Sequence, residues 1–346
     1  MPSRLVTMAE WFRREGSKTR FRYVRADGRP VRDARTLERV AKLAVPPGWS
    51  DVHVAASPAA EVQAWGLDVK GRKQYRYHER AVERGQLRKY YRVRELAKEL
   101  PALRARIRAH AASRTPSRRA VAAAVVRLIS ESFFRVGGER YAEENKTFGI
   151  TTLRKRHVTL GAGHAVFAYV GKKSIRQRQV VANRELTQLV KRHLASPGAR
   201  LFRYQEGRRW RDLTARDVNA YLHETLCVAY SAKDFRTWGG TLRAATVLAE
   251  IGPARSTTEA RRNVMTAMRL VASELGNTPT ICRKSYVHPM VVARYLDDGE
   301  TISLPKRNVS TADRYAHSPE ERALIRFLDR HFPERRRRAR AAESDD

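Results

Sequence analysis

Near residue 85 the apolar residues of this chain change their period, and that change limits the folds open to it more than any other feature. Between about residues 20 and 80, apolar and polar side chains alternate in short runs, as in strands with one buried face. FRYVRADGRPV carries a turn signal at Asp27-Gly28, and VQAWGLDVKGRKQYRYH reads as a hairpin reversing near Lys70-Gly71. Beyond that stretch the repeat becomes helical. RELAKELPALRARIRAH is followed by Thr115-Pro116-Ser117, a break and helix N-cap. Val121, Val125, Leu128, Ile129 and then Ser132 or Phe133 recur at helical spacing until Gly137-Gly138, which predicts an amphipathic helix ending just past Arg135. FGITTLR, HVTL, HAVFAYV and QRQVV, arranged around the basic turn GKKSIR, predict one small antiparallel sheet. ANRELTQLVKRHLA, TARDVNAYLHETL, LRAATVLAEI and RRNVMTAMRLVASEL are helical again.

The expected class is therefore α+β, with a small β-rich domain over 1–85 and a mostly α-helical domain with one small antiparallel sheet over 86–332. The low-complexity stretch 333–346, basic and then acidic, is expected to be a disordered tail.

Charge narrows the function. Lysine and arginine number 70 against 36 acidic residues, a net +34 spread over the whole length, so the expected partner is a polyanion. No apolar run of about 18 residues competes for a membrane, and nucleic acid is favoured over a lipid surface. MPSRLVTMAEWFRREG has charges where a signal peptide needs a continuous apolar stretch, which places the chain in the cytoplasm, at the nucleoid. Cys227 and Cys282, with no CxxC, indicate neither a zinc site nor a disulfide framework and read as reduced structural residues.

Two phosphate-binding patterns fail. GAGHAV at 161–166 ends in Val166 where a dinucleotide fingerprint needs glycine. In GKKS, Val166 again stands where the first glycine of a phosphate loop belongs, and Lys173 occupies the place of the magnesium-binding hydroxyl. Carboxylates are scattered singly, without the inward pairs of a two-metal nuclease.

LGNTPTICRKSYVHP, at 275–289, raises a different chemistry. A phenol with a pKa near 10 is only about 0.1% ionised at neutral pH, so a nucleophilic Tyr286 needs strong help. If it attacks a DNA phosphodiester, charge grows on the non-bridging oxygens and a basic 5′ alkoxide must leave. Guanidinium forks suit the first and a proton donor the second. Arg135 at a helix end, Lys172 at a hairpin turn, Arg236 in SAKDFRTWGGT and Asn277 after Gly276 are the candidates. Singly each has an ordinary reading: Arg135 as a cation at a helix C-terminus, Lys172 as a solvated turn residue, Arg236 and Lys233 as basic surface, Asn277 as a cap, Tyr286 as a half-buried aromatic.

Taken together and in order, RVGGERYAEENKTFGITTL, VGKK, KDFRTWGGT and LGNTPTICRKSYVHP resemble the motifs of the poxvirus-like bacterial type IB DNA topoisomerases. KGRKQYRYH at 70–78 resembles that family's DNA-contacting strand, so the likeness spans residues 70–289. It implies a C-shaped clamp on duplex DNA, a monomer, and a strand nick through a 3′-phosphotyrosyl bond. Strand rotation and resealing follow, with no cofactor, metal or ATP. It makes Tyr286 the nucleophile, Arg135 and Arg236 the phosphate-binding arginines, Lys172 the general acid, and Lys233 a further basic residue near the phosphate. The poxvirus enzymes have His where this chain has Asn277, whose amide can donate to a phosphoryl oxygen but carries no charge. It also marks Lys70, Lys73, Gln74, Tyr75, Arg76, Tyr77 and Tyr141 as DNA contacts, with Gln74 and Arg76 suited to reading base edges.

A tyrosine recombinase shares the Arg, Lys, Arg, Tyr chemistry but usually has His three residues before the second arginine, where this chain has Lys233. A plain DNA-packaging protein would explain the charge and leave the ordered motifs unexplained.

Overall fold

The structure is a computed structural model that describes residues 11–17, 20–226, 230–304 and 313–332. The chain divides into two compact units, residues 1–89 and 90–346.

In the first unit, β1 (Trp11–Ser17), β2 (Arg20–Val24), β3 (Ser50–Ala55), β4 (Val62–Leu67) and β5 (Lys73–Tyr77) form an antiparallel sheet in the order β2-β1-β3-β4-β5. Helix α1 (Ala34–Lys42) starts on Asp33, whose carboxylate accepts from Thr36 N at 2.8 Å, and contributes Val40 to the core. That core is small: Val40, Val52, Val54 and Ala64 are its buried members. Arginines supplement it by closing off loop carbonyls. Arg39 donates to Gln63 Oε1 at 2.6 Å and Ala55 O at 2.7 Å, and Arg14 donates to Pro46 O at 3.1 Å and to Trp49 O.

The Asp27-Gly28 turn is present, with Gly28 at φ 81 and its N–H on Arg25 O at 3.0 Å, but its far arm makes only a single bridge, Val24 to Pro30. Pro30 has no N–H to continue a ladder, and β2 pairs with β1 instead. The hairpin expected at Lys70-Gly71 is β4–β5, closed by Asp68 N on Arg72 O at 2.9 Å.

Helix α2 (Glu79–Ala111) starts in the first unit and runs into the second, which continues with α3 (Arg118–Ser132), α4 (Glu139–Glu144), β6 (Val158–Gly161), β7 (His164–Val170), β8 (Arg176–Val181), α5 (Arg184–Leu194), β9 (Arg203–Glu206) and β10 (Arg209–Asp212). Helices α6 (Ala215–Leu226), α7 (Ala232–Ile251), α8 (Thr257–Leu275), α9 (Pro279–Ser285), α10 (Pro289–Asp298) and α11 (Pro319–His331) complete it. Strands β6-β7-β8 form the small antiparallel sheet, and β9–β10 is a separate hairpin that alternation in the sequence did not suggest.

Ser117 caps α3 as expected, accepting from Ala120 N at 3.2 Å. The helix differs in two respects. Every residue from Ala120 to Ile129 is buried, so α3 is the central helix of this unit and not an amphipathic surface helix. Its one charge there, Arg127, is neutralised by Glu131 at 2.9 Å and Glu185 at 2.7 Å. The helix also ends at Ser132, short of Arg135, because Phe133 turns left-handed at φ 57 and returns its N–H to Ile129 O at 2.9 Å.

FGITTLR is not a strand. Ile150–Thr152 forms a 3-10 turn, and its amides bond elsewhere: Ile150 N to Arg135 O and Thr151 N to Val136 O, both at 2.8 Å. Cys282 is a buried free thiol, pushed up to about 11 by burial, whereas Cys227 and the 333–346 tail lie outside the described residues. No helix among the described residues is long and apolar enough to cross a membrane.

Candidate active site

The ends of α3 and α8 and the first turns of α7 bring two arginines together. After Phe133 leaves α3, Arg135 donates Nη2 to Gly276 O at 2.7 Å and to Asn277 Oδ1 at 2.5 Å. The bonds from Ile150 and Thr151 hold the Arg135 backbone in place. They require a close crossing: a Cβ on Gly149 would stand 2.5 Å from Gly137 N, so the two glycines let the strands of chain touch.

Arg236 is buried in α7, only 4% exposed. Its helix is capped by Asp234, which accepts from Ser231 N at 2.8 Å and Oγ at 2.9 Å and also pairs with Arg92 at 2.9 Å. Arg236 Nη1 donates to Phe133 O and Nη2 to Leu275 O at 2.8 Å. Its cation therefore sits on the carbonyl ends of both α3 and α8, where the helix dipoles are negative. Burial pushes the Arg236 pKa down, Tyr286 raises it, and the like charge of Arg135 lowers it. A guanidinium stays charged under such a shift.

Neither arginine pairs with a carboxylate among the described residues; their partners are carbonyl oxygens, one amide and, for Arg236, the Tyr286 side chain. Two N–H donors here are buried without an acceptor, Arg236 Nε and Asn277 Nδ2. Asn277 follows Gly276, which ends α8 in the left-handed region at φ 60, and Thr278 and Pro279 start α9. The break expected from Gly276 and Pro279 is thus where the chain turns Asn277 toward Arg135.

Tyr286 caps the far end of α9 and is half-buried, with Arg236 Cζ 5.2 Å from its ring centre. Thr241 Oγ1 donates to Thr237 O at 2.7 Å, lies 3.3 Å from Tyr286 O, and accepts from His288 N at 3.0 Å. Gly239 and Gly240 make the approach possible. A Cβ on Gly239 would come within 1.9 Å of the Phe133 ring, and one on Gly240 within 2.9 Å of Tyr286 O. Each glycine in mid-helix costs about 1 kcal/mol against alanine, a local defect that close packing explains. In the sequence, the signal for this close packing is the pair of adjacent glycines in WGGT.

Lys172 opens the 3-10 turn Lys172–Ser174 between β7 and β8 and is exposed, as is Lys233, one helical turn before Arg236. Lys173 and Ser174 have φ of 62 and 57, a strained tip for non-glycine residues. At its root the sheet is tied to the site: Gln179 Nε2 donates to Ser132 O at 3.0 Å, and Tyr169 Oη donates to Gln179 Oε1 at 2.9 Å. Burial pushes Tyr169 up to about 12, against the pull of Arg135 and Arg236. Tyr141, on α4, is 50% exposed. The structure thus brings Arg135, Arg236, Asn277 and Tyr286 together, with Lys172 out on a neighbouring hairpin tip.

Within the first unit, β5 splits its side chains by face. Lys73, Tyr75 and Tyr77 are exposed; Lys73 Nζ lies 3.7 Å above the Trp65 ring, and Tyr75 stacks on Tyr77 at 5.8 Å. Gln74 and Arg76 are half-buried: Gln74 Nε2 donates to Asp68 Oδ2 at 3.0 Å and Arg76 to Ala44 O at 2.9 Å. Arg72 also binds Asp68 and holds its carboxyl down at about 2, and Lys70 caps the same turn with its N–H on Asp68 Oδ1 at 2.9 Å.

The chain is similar to known proteins over most of its length. Residues 73–312 match the family model of the eukaryotic DNA topoisomerase I catalytic core, and residues 20–68 match the bacterial DNA topoisomerase IB N-terminal domain. The DNA topoisomerase 1B of Acanthamoeba polyphaga mimivirus is 30% identical over 303 residues, which is 85% of this chain and 90% of that protein. With its catalytic-core match covering the paired arginines, the hairpin lysine and the tyrosine, the chain belongs to the type IB DNA topoisomerase family.

Proposed function

We propose that Tyr286 gives up its phenolic proton to water and attacks a phosphodiester of duplex DNA, forming a 3′-phosphotyrosyl bond as the bond to the 5′ oxygen breaks and opening one strand. The 5′ oxygen leaves with a proton from Lys172, and resealing reverses both transfers. Arg135 and Arg236 hold the two non-bridging oxygens, and Asn277 Nδ2 donates a further hydrogen bond. One observation carries this reading: among the described residues Arg135 and Arg236 have no carboxylate partner, Arg236 stands beside Tyr286, and two N–H donors of the site, Arg236 Nε and Asn277 Nδ2, are buried without acceptors. A phosphoryl group supplies the missing charge and the missing acceptors. Lys233 adds positive charge nearby. Tyr141, Lys70, Lys73, Tyr75 and Tyr77 contact the duplex from their exposed positions, and Gln74 and Arg76 back that strand. The acting unit is one chain, working on DNA at the nucleoid.

The phosphotyrosyl bond conserves the energy of the broken phosphodiester, and arginines and a lysine meet the charge that a metal meets in other phosphoryl-transfer enzymes. Purified protein in EDTA without nucleotide is therefore expected to relax both negatively and positively supercoiled plasmid. Relaxation that stops in EDTA, or that removes only one sign of supercoil, would count against the proposal.

Asn277→Ala should weaken transition-state binding by about 1 to 3 kcal/mol, while Asn277→His, which can also donate, should keep most of the activity. Single-turnover cleavage measures both. An alanine variant with the unmutated rate would remove Asn277 from the site.

A further inference from the structure

The roles proposed for Lys172 and Asn277 leave open what sets the acid-bearing hairpin against the phosphate-binding turn. Strand β8 shows one half-buried face, Gln177 and Gln179, between the exposed Arg176, Arg178 and Val180. Gln179 anchors the root of the sheet at Ser132 O, as described above. Gln177 lies one step nearer the tip, opposite Tyr169 in the β7–β8 ladder. Its side chain passes between two glycines. A Cβ on Gly171 would stand 2.8 Å from Gln177 Cγ, and a Cβ on Gly276 would stand 1.9 Å from Gln177 Oε1 and 2.8 Å from Cδ. Gly171 directly precedes Lys172, and Gly276 directly precedes Asn277 and gives its carbonyl to Arg135.

On this basis, and resting on the roles proposed above, we infer that Gln177 is a positioning residue: a packing strut that docks the Lys172 hairpin onto the Gly276–Asn277 turn and so aims the acid at the leaving oxygen. The tip needs such a strut. Its turn is strained at Lys173 and Ser174, and a single backbone bond, Gly171 N to Ile175 O at 2.8 Å, closes it. Glycine at 171 is not demanded by the backbone, which is extended there at φ −95 and ψ −168, so the space taken by Gln177 accounts for it.

The test compares an ordinary duplex with one carrying sulfur in place of the bridging 5′ oxygen, a leaving group that needs no acid. Gln177→Ala should cleave the ordinary duplex about 10²-fold more slowly, the scale of a catalytic group displaced by roughly an ångström. On the sulfur duplex it should return to the unmutated rate, as Lys172→Ala should. Gly171→Ala should also slow the ordinary duplex, and the double variant should be no slower than Gln177→Ala alone, because both changes remove one contact. Three results would overturn the inference: an unaltered Gln177→Ala, multiplied defects in the double variant, or a Gln177→Ala defect that persists on sulfur while that of Lys172→Ala is cured. If sulfur fails to restore Lys172→Ala itself, the acid role falls, and the strut's purpose with it.

Discussion

Tyr286→Phe is expected to abolish cleavage and plasmid relaxation while leaving DNA affinity nearly unchanged. The substitution removes one oxygen and little else. The Tyr286 backbone N–H donates to Cys282 O at 2.9 Å, and the ring that lies 5.2 Å from the Arg236 guanidinium is retained. Folding should therefore survive, and so should binding, which in a chain of net charge +34 rests mainly on phosphate contacts elsewhere. The hydroxyl has no substitute as nucleophile. Relaxation of supercoiled plasmid and a salt-matched binding titration check the two halves. A phenylalanine variant that relaxes DNA at the unmutated rate would move the nucleophile to another tyrosine.

Arg236→Ala should slow single-turnover cleavage by about 10³-fold or more, equivalent to about 4 kcal/mol of transition-state stabilisation. It should also lower the melting temperature. The same guanidinium binds Phe133 O and Leu275 O, and its loss leaves two buried carbonyls unsatisfied at about 1 to 3 kcal/mol each. Arg236→Lys separates the effects only in part, because one ammonium cannot span both carbonyls and a phosphate as a planar fork does. Arg135→Ala is the cleaner companion. Arg135 is only partly buried and binds one carbonyl and one amide, so its cleavage defect should come with a smaller loss of stability. Unchanged cleavage with weakened binding would show that these arginines hold DNA and take no part in the reaction.

The helical half of this fold was largely legible from periodicity: α5, α6 and most of α8 coincide with segments read as helical, but only the second half of α7, from Leu242, was read so, and the half that carries Lys233 and Arg236 was not. Helix α9, at 7 residues, carries too few turns for a period to show, whereas α10 and α11, at 10 and 13 residues, are about as long as α5 and α6 and still went unread. Thr278-Pro279, His288-Pro289 and Ser318-Pro319, each a cap followed by proline at the first helical position, mark their starts. Ile150–Thr152 looked like a strand because β-branched residues suit one, but its amides satisfy the Arg135 segment instead. No local pattern reports a bond across that distance.

The site was legible as residue types in order and not as geometry. Composition could not separate Arg135 and Arg236 from arginines such as Arg94, Arg104 and Arg127, which are spent on Asp329, Glu321 and Glu185. Among the described residues Arg135 and Arg236 differ from these by lacking a carboxylate partner, and from Arg14 and Arg39, which also bind carbonyl oxygens, by the nearness of Tyr286 to Arg236; both depend on the fold. The facing of β5 has a similar origin. Alternation showed that Gln74 and Arg76 share a face, but which face was outward depended on Asp68 and Ala44 drawing them in.

Mapping of the covalent adduct bears on all of this at once. Protein mixed with duplex DNA in EDTA, quenched with detergent and digested to peptides, should yield a single DNA-linked peptide, joined through Tyr286 to a 3′ phosphate and leaving a free 5′ hydroxyl on the other side of the nick. An adduct on a different tyrosine, linkage to a 5′ phosphate, or no adduct until a divalent metal is added would contradict the mechanism built on Arg135, Arg236 and Lys172.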